Sequence, residues 1–150
     1  MREPDGRAYG RRMDNIATVK DIYAAFGRGD IPAILDRMAD DVDWDPAPTS
    51  GRDAGVPWLA HRTGPDDVAE FFASLEPLEF PRFAPHTYLA NDNQVAAIIS
   101  LEIRVKASGH TIAEDELHLW SFDDAGRVSG YQHFVDTAKH IEAAREALLV

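Results

Sequence analysis

The chain predicts an α+β fold, with helices gathered on one side of a largely antiparallel sheet. Three observations lead there. Apolar residues at helical spacing occur in separate early stretches and again after Asp136, while Glu79 to Val135 reads as a meander of four strands. The turns of that meander are marked by Asn91-Asp92-Asn93, Ser108-Gly109 and Asp123-Asp124-Ala125-Gly126. The 150 residues, without repeat or low-complexity segment, suit one domain with a core of its own.

Residues 1–12 combine acids and arginines without an apolar run, so they read as a disordered tail ahead of one domain over residues 13–150. Asp14 is placed to cap a first helix, whose Ile16, Val19, Tyr23 and Phe26 share a face and whose end is marked by Gly27 and Gly29. Asp30 caps a second, short helix with Pro32 in its first turn and Ile31, Ile34, Leu35 and Met38 as its apolar stripe. Val42 to Pro46 forms a brief strand with Val42 and Trp44 on one face and Asp43 and Asp45 on the other, toward water. Ala47 to Thr63, rich in Pro and Gly, is a long loop carrying Trp58 and His61. Pro65, Asp66 and Asp67 open a third helix that buries Val68, Phe71, Phe72 and Leu75, and Pro77 closes it.

Pro81 and Pro85 restrict the strand Glu79–Ala90 to a sheet edge or to bulges, because proline cannot donate to a ladder. Gln94 to Lys106 alternates, with Val95, Ala97, Ile99, Leu101, Ile103 and Val105 on one side. Asp136 caps a closing helix reaching about Ala147.

Composition narrows the function classes. A formal net charge of −11 disfavours nucleic acid and anionic membrane as partners. The absence of Cys excludes thiolate nucleophiles, disulfides and zinc–cysteine sites. No apolar run is long enough to span a bilayer, and the first residues lack a signal peptide's apolar region, so a cytoplasmic location is expected.

The chemistry concentrates in Ala113–Asp136. Strand periodicity puts Glu114, Glu116, His118, Trp120 and Phe122 on one face of the first run. In the second run Ser129, Tyr131, His133 and Val135 share a face, with Val128, Gly130, Gln132 and Phe134 opposite. Matching faces across the turn would gather Glu116, His118, Trp120, Tyr131 and His133 on a single surface. Two imidazoles and a carboxylate suit proton transfer near neutral pH, and the aromatics suit an apolar ligand. His118 and His133 have a second reading as hydrogen-bonded core histidines, and Glu116 as half of an ion pair. His86, His110 and His140 have no partner in the pattern.

The motifs Y-x-A-F-x-x-G-D (Tyr23–Asp30), M-A-D-D-V-D-W (Met38–Trp44), H-R-T-G-P-D-D-V-A-E-F-F (His61–Phe72), H-L-W-S-F-D-D-A-G-R-V (His118–Val128) and H-F-V-D-T (His133–Thr137) resemble the nuclear transport factor 2-like superfamily. That superfamily includes ketosteroid isomerases and SnoaL-like polyketide cyclases. The resemblance implies a cone-shaped, curved antiparallel sheet with the N-terminal helices on its concave face, and a homodimer formed through the other face, which carries Ile98, Ser100 and Leu117. His118 falls where the isomerases place an oxyanion-binding acid and the cyclases a His; His133 falls at or beside the cyclases' acid/base Asp; Glu116 falls on a polar position of their cavity. The isomerases' base falls on Pro46 or Asp45 and their helix-1 Tyr on Ile22, with Tyr23 pointing elsewhere, which argues against steroid isomerisation.

These readings converge on a cofactor-independent enzyme doing isomerisation, cyclisation or related enolisation on a small hydrophobic carbonyl compound. His133 is the expected base, His118 the donor to the enolate oxygen, and Glu116 the group that orients an imidazole. Trp44, Trp58, Trp120, Tyr131 and Asp45 are the expected substrate-binding residues. No metal is expected. A non-catalytic small-molecule binder and a protein-interaction module of the same fold are the alternatives.

Overall fold

In a computed structural model, which describes residues 6–47, 52 and 54–148, six strands form one curved, open sheet in the order β2-β1-β6-β5-β4-β3. The elements in chain order are α1 (Gly6–Arg28), α2 (Ile31–Leu35), β1 (Met38–Trp44), a 3-10 turn (Pro57–Leu59), β2 (Arg62–Thr63), α3 (Pro65–Ser74), β3 (Leu78–Ala90), β4 (Gln94–Val105), β5 (Thr111–Phe122), β6 (Val128–Phe134) and α4 (Thr137–Leu148). α1 packs over β3 and β4, α3 over β1, and α4 over β4. The architecture is α+β.

α1 starts at Gly6, so Asp14 sits inside the helix instead of capping it, and the second half of the expected tail is helical. Arg, Ala and Met are strong helix formers and no proline interrupts them, so propensity carries the helix back past Asp14. Arg12 also meets Asp92 at 2.6 Å. Residues 1–5 of that tail and the end of the expected domain, 149–150, lie outside the described residues. At the C-terminus of α1, Gly29 has φ 70° and the bonds Asp30 N to Ala25 O and Gly29 N to Phe26 O close a Schellman cap. Asp30 then caps α2, accepting from Ala33 N at 3.3 Å.

Met38 is not part of α2, as its spacing suggested; it begins β1 opposite Val128. The chain leaves the helix at Asp36 because Arg127 Nη1 holds the carbonyls of Asp36 and Met38 at 2.9 and 3.2 Å. β1 runs parallel to β6, so the sheet is mixed rather than wholly antiparallel. The remaining pairs are antiparallel. β3 is one edge of the sheet and shifts register between Glu79 and Arg82 and between Pro85 and Thr87, beside the two prolines.

The buried side of β4 is the predicted apolar row from Val95 to Val105. β5 and β6 place His118 opposite His133 and Trp120 opposite Tyr131. Nearer the turn, the register shifts between Ser121 and Phe122, which pairs with Val128. That bulge turns Val128 inward, where it is fully buried, against its expected place on the outer face. It falls beyond Tyr131, so the parity of the inward residues from Tyr131 to His133 is kept.

Candidate functional site

A cavity of about 70 Å³ lies between the sheet and the helices, and it is walled largely by aromatic and aliphatic side chains. Seven of the eight predicted site residues line it: Glu116, His118, His133, Trp44, Trp58, Trp120 and Tyr131. Asp45 does not line it. Asp45 is buried just past β1, where Arg52 donates from Nε to Oδ1 at 3.2 Å and pairs with Oδ2. Only Asp43 of that expected pair faces water, beside His61. The chain leaves strand geometry after Trp44, so Asp45 escapes the alternation that would have exposed it.

β5 supplies the polar row. His118 Nε2 lies 2.9 Å from Glu116 Oε1, and His118 Nδ1 lies 2.9 Å from the Tyr23 hydroxyl. Trp120 Nε1 donates to that same hydroxyl at 3.0 Å. The neutral ring satisfies every partner: the Trp120 N–H donates to the Tyr23 oxygen, the phenol donates to Nδ1, and Nε2–H donates to the carboxylate. Tyr23 therefore points into the site. The expectation that it points elsewhere is corrected, because α1 crosses the sheet with the Ile22–Tyr23 side down and both residues buried.

A third histidine joins from α4. His140 Nε2 contacts Glu114 Oε1 and lies 3.6 Å from Glu116 Oε2, while Trp58 Nε1 donates to His140 Nδ1 at 2.9 Å. Neither Glu114 nor His140 was placed in the site from the sequence. Glu114 had the right parity on β5, and His140 follows the Asp136 cap by one turn, but the pairing of a helix with a strand carries no local signal.

Electrostatics follow from burial and these bonds. Burial alone would raise Glu116, but hydrogen bonds from His118 and then His140 hold its carboxyl well below the usual range. Burial, with Glu116 beside it, raises Glu114 despite its bond to His140. Burial would lower His140, yet Glu114 and then Glu116 raise it to about 9. Trp58 asks the opposite, since its N–H needs a lone pair on Nδ1. Burial pushes the Tyr23 and Tyr131 phenols up.

His133 differs from its neighbours. Its Nδ1 meets the Tyr131 hydroxyl at 3.0 Å, while Nε2 is buried without a partner among the described residues. Burial lowers its pKa to about 3, so the ring is neutral near pH 7. Tyr131 is fixed in turn by stacking on Trp44, with centroids 4.0 Å apart.

A curved mixed sheet with helices over one face and an apolar, histidine-bearing cavity is the arrangement of the nuclear transport factor 2-like (NTF2-like) proteins. The profile of the SnoaL-like domain matches residues 19–131, and the chain belongs to that family. Among solved structures, an NTF2-like protein of unknown function from Burkholderia pseudomallei K96243 is 26% identical, with 87% of this chain and 97% of that one aligned at a TM-score of 0.75. TerC, co-crystallised with polyporic acid, is also 26% identical, over 88% of this chain and 98% of its own, at a TM-score of 0.74. A candidate SnoaL-like polyketide cyclase from Mesorhizobium loti, 19% identical over 80% and 97% with a TM-score of 0.63, shares the fold. No curated protein matches the sequence.

Proposed function

We propose that this protein is an acid/base enzyme that enolises a small hydrophobic carbonyl compound, as a step of isomerisation or cyclisation. The observation that carries the reading is the buried, unpartnered Nε2 of His133 in an aromatic-lined cavity. A buried polar nitrogen without a partner is costly to fold around and asks for a ligand. If the Tyr131 hydroxyl donates to Nδ1, Nε2 carries the proton and donates to a carbonyl oxygen.

The roles expected for the two histidines then exchange. A ring held neutral down to about pH 3 is a poor base and a good uncharged donor. His118 has both nitrogens engaged, one by a carboxylate and one by a phenol, so it can pass a proton along that chain. In the proposed step the substrate's C–H proton passes to the Tyr23 oxygen as Tyr23 hands its own proton to His118 Nδ1. The C–H electron pair moves into the carbonyl, and His133 Nε2–H holds the resulting enolate oxygen. The proton returns at another carbon in isomerisation, or the enolate carbon attacks an electrophilic carbon of the same molecule in cyclisation. The Tyr23 phenol, pushed up by burial, favours a concerted relay over a free phenolate.

About 70 Å³ holds only a few heavy atoms, so a larger ligand needs more room. A groove of about 460 Å³ between α1 and β3 shares Tyr23, Phe26, Phe80 and Phe83 with the cavity. The reactive carbonyl would sit inside and the apolar body in the groove. The TerC complex and the cyclase neighbour support a small organic ligand in this fold. The proposal includes a homodimer and a cytoplasmic location.

Hydrogen–deuterium exchange at carbons next to a carbonyl tests it, followed by NMR in D2O over a panel of small aryl ketones and diketones. Exchange catalysed by the wild type and lowered ~10²–10⁴-fold in His133→Gln is expected. Saturable binding of panel members without exchange favours the non-catalytic binder.

A further inference from the structure

We propose that Glu116, His118 and His133 also form a binding site for one divalent first-row transition-metal ion. One donor atom from each of the three lies within 4.8 Å of the others, and all three side chains are buried. Two imidazoles and a carboxylate on one face are the donor set that suits zinc, cobalt or ferrous iron, and that magnesium and calcium disfavour.

Two further observations separate this from a casual cluster. First, each ring is gripped at Nδ1 by a tyrosine hydroxyl, His118 by Tyr23 at 2.9 Å and His133 by Tyr131 at 3.0 Å. A metal-binding histidine commonly donates its other N–H to an oxygen, and the two tyrosine oxygens stand where an Nδ1–H of each ring would donate, which fixes the rings and leaves Nε2 for the ion. Second, Nε2 of His133 is buried and has no partner among the described residues, so an ion there displaces no other bond at that nitrogen. The ion would replace the hydrogen bond between His118 Nε2 and Glu116 Oε1, whose 2.9 Å span is already close to the ~3–3.5 Å separating adjacent ligands of such an ion.

Glu116 supplies a carboxylate to the divalent cation, while the neighbouring Glu114 is bonded to His140. His118 and His133 would each turn the proton to Nδ1 and donate to the Tyr23 and Tyr131 oxygens. The cavity beside the three residues leaves space for water to complete the coordination.

This inference uses the residues of the proposed reaction but not the reaction. An ion on His133 Nε2 occupies the position assigned to the substrate oxygen, so it acts there as a competitor of the metal-free chemistry. Binding is read without turnover, and the two readings therefore fail separately.

The test titrates Co²⁺ into chelator-treated full-length protein, following visible absorption and melting temperature. One ion per chain, a d–d spectrum with nitrogen ligands and a raised melting temperature are expected. His133→Gln and Glu116→Gln should each weaken binding by ~100-fold or more, and Tyr131→Phe by ~10-fold. A surface cluster, His110, Glu142 and Glu146, is the control. Absence of binding to the wild type overturns the proposal. So does binding that survives His133→Gln or that disappears in the Glu142→Gln/Glu146→Gln double variant. Should a cavity variant fail to fold by circular dichroism, the wild-type stoichiometry and spectrum decide alone.

Discussion

His118 and His133 face each other across β5 and β6 with ring centroids 5.8 Å apart, yet among the described residues only His133 keeps a nitrogen without a partner. His118 is bound at both ends, by Tyr23 and Glu116; His133 is bound only by Tyr131. Two identical side chains thus differ in what their loss should do. His118→Leu leaves Glu116 Oε1 without its His118 donor and the buried Tyr23 O–H without its acceptor, which costs about 1–3 kcal/mol for each group. His133→Gln should change stability by less than about 1 kcal/mol while removing most turnover. Thermal melts of the two variants, beside the exchange assay, check the contrast; equal losses of stability would contradict it.

Stability should depend on pH through His140. Its pKa is raised to about 9 in the fold, against about 6.5 in the unfolded chain. A raised histidine binds its proton more tightly when folded, so its contribution is complete below about pH 6.5 and is lost as pH rises through about 9. His140→Asn should flatten that alkaline decline, measured as melting temperature against pH. A decline of unchanged size in the variant would assign it to other groups.

Trp58 opposes that proton, because its N–H needs the Nδ1 lone pair of His140. Trp58→Phe keeps most of the ring's bulk and removes the donor. The alkaline decline should then move to higher pH, since the carboxylates act on His140 unopposed. A shift to lower pH would show that Trp58 favours the charged ring.

On the acid side the sign reverses. His133 is lowered to about 3, so between about pH 6.5 and 3 the unfolded chain takes a proton that the folded one refuses. Stability should fall with pH across that window, and His133→Gln should lessen the fall. The same value removes the inflection near pH 6–7 that a histidine base at position 133 would give.

Much of the site was legible from period two alone. Glu116, His118 and Trp120 alternate with exposed or half-buried residues, and a short turn brings Tyr131 and His133 into register with them. The prolines of β3 foretold an edge with bulges, and Asp136 a helix start. What remained hidden depends on packing between distant elements. How α1 is rotated decides that Tyr23 reaches His118, 95 residues away, and the docking of α4 decides that His140 meets Glu114. The parallel pairing of β1 with β6 likewise has no local signature, and a one-residue bulge was enough to turn Val128 inward.

The sheet's outer face also invites a measurement. Phe134 is exposed there, and Ile98, Ser100 and Leu117 of the same face are half-buried. An apolar face of this kind is commonly hidden against a second copy. Light scattering at micromolar concentration should give a dimer, and Leu117→Lys should shift it toward monomer. A wild-type monomer would remove the expectation.

The central claim is that His133 presents a neutral Nε2–H to the cavity. Nitrogen-15 NMR of the imidazole rings tests it directly, because the shifts of Nδ1 and Nε2 distinguish both tautomers and the imidazolium. Between about pH 5 and 8, one ring assigned by its loss in His133→Gln should stay neutral with its proton on Nε2. A ring that titrates near pH 6.5, or that carries its proton on Nδ1 throughout, would contradict the account.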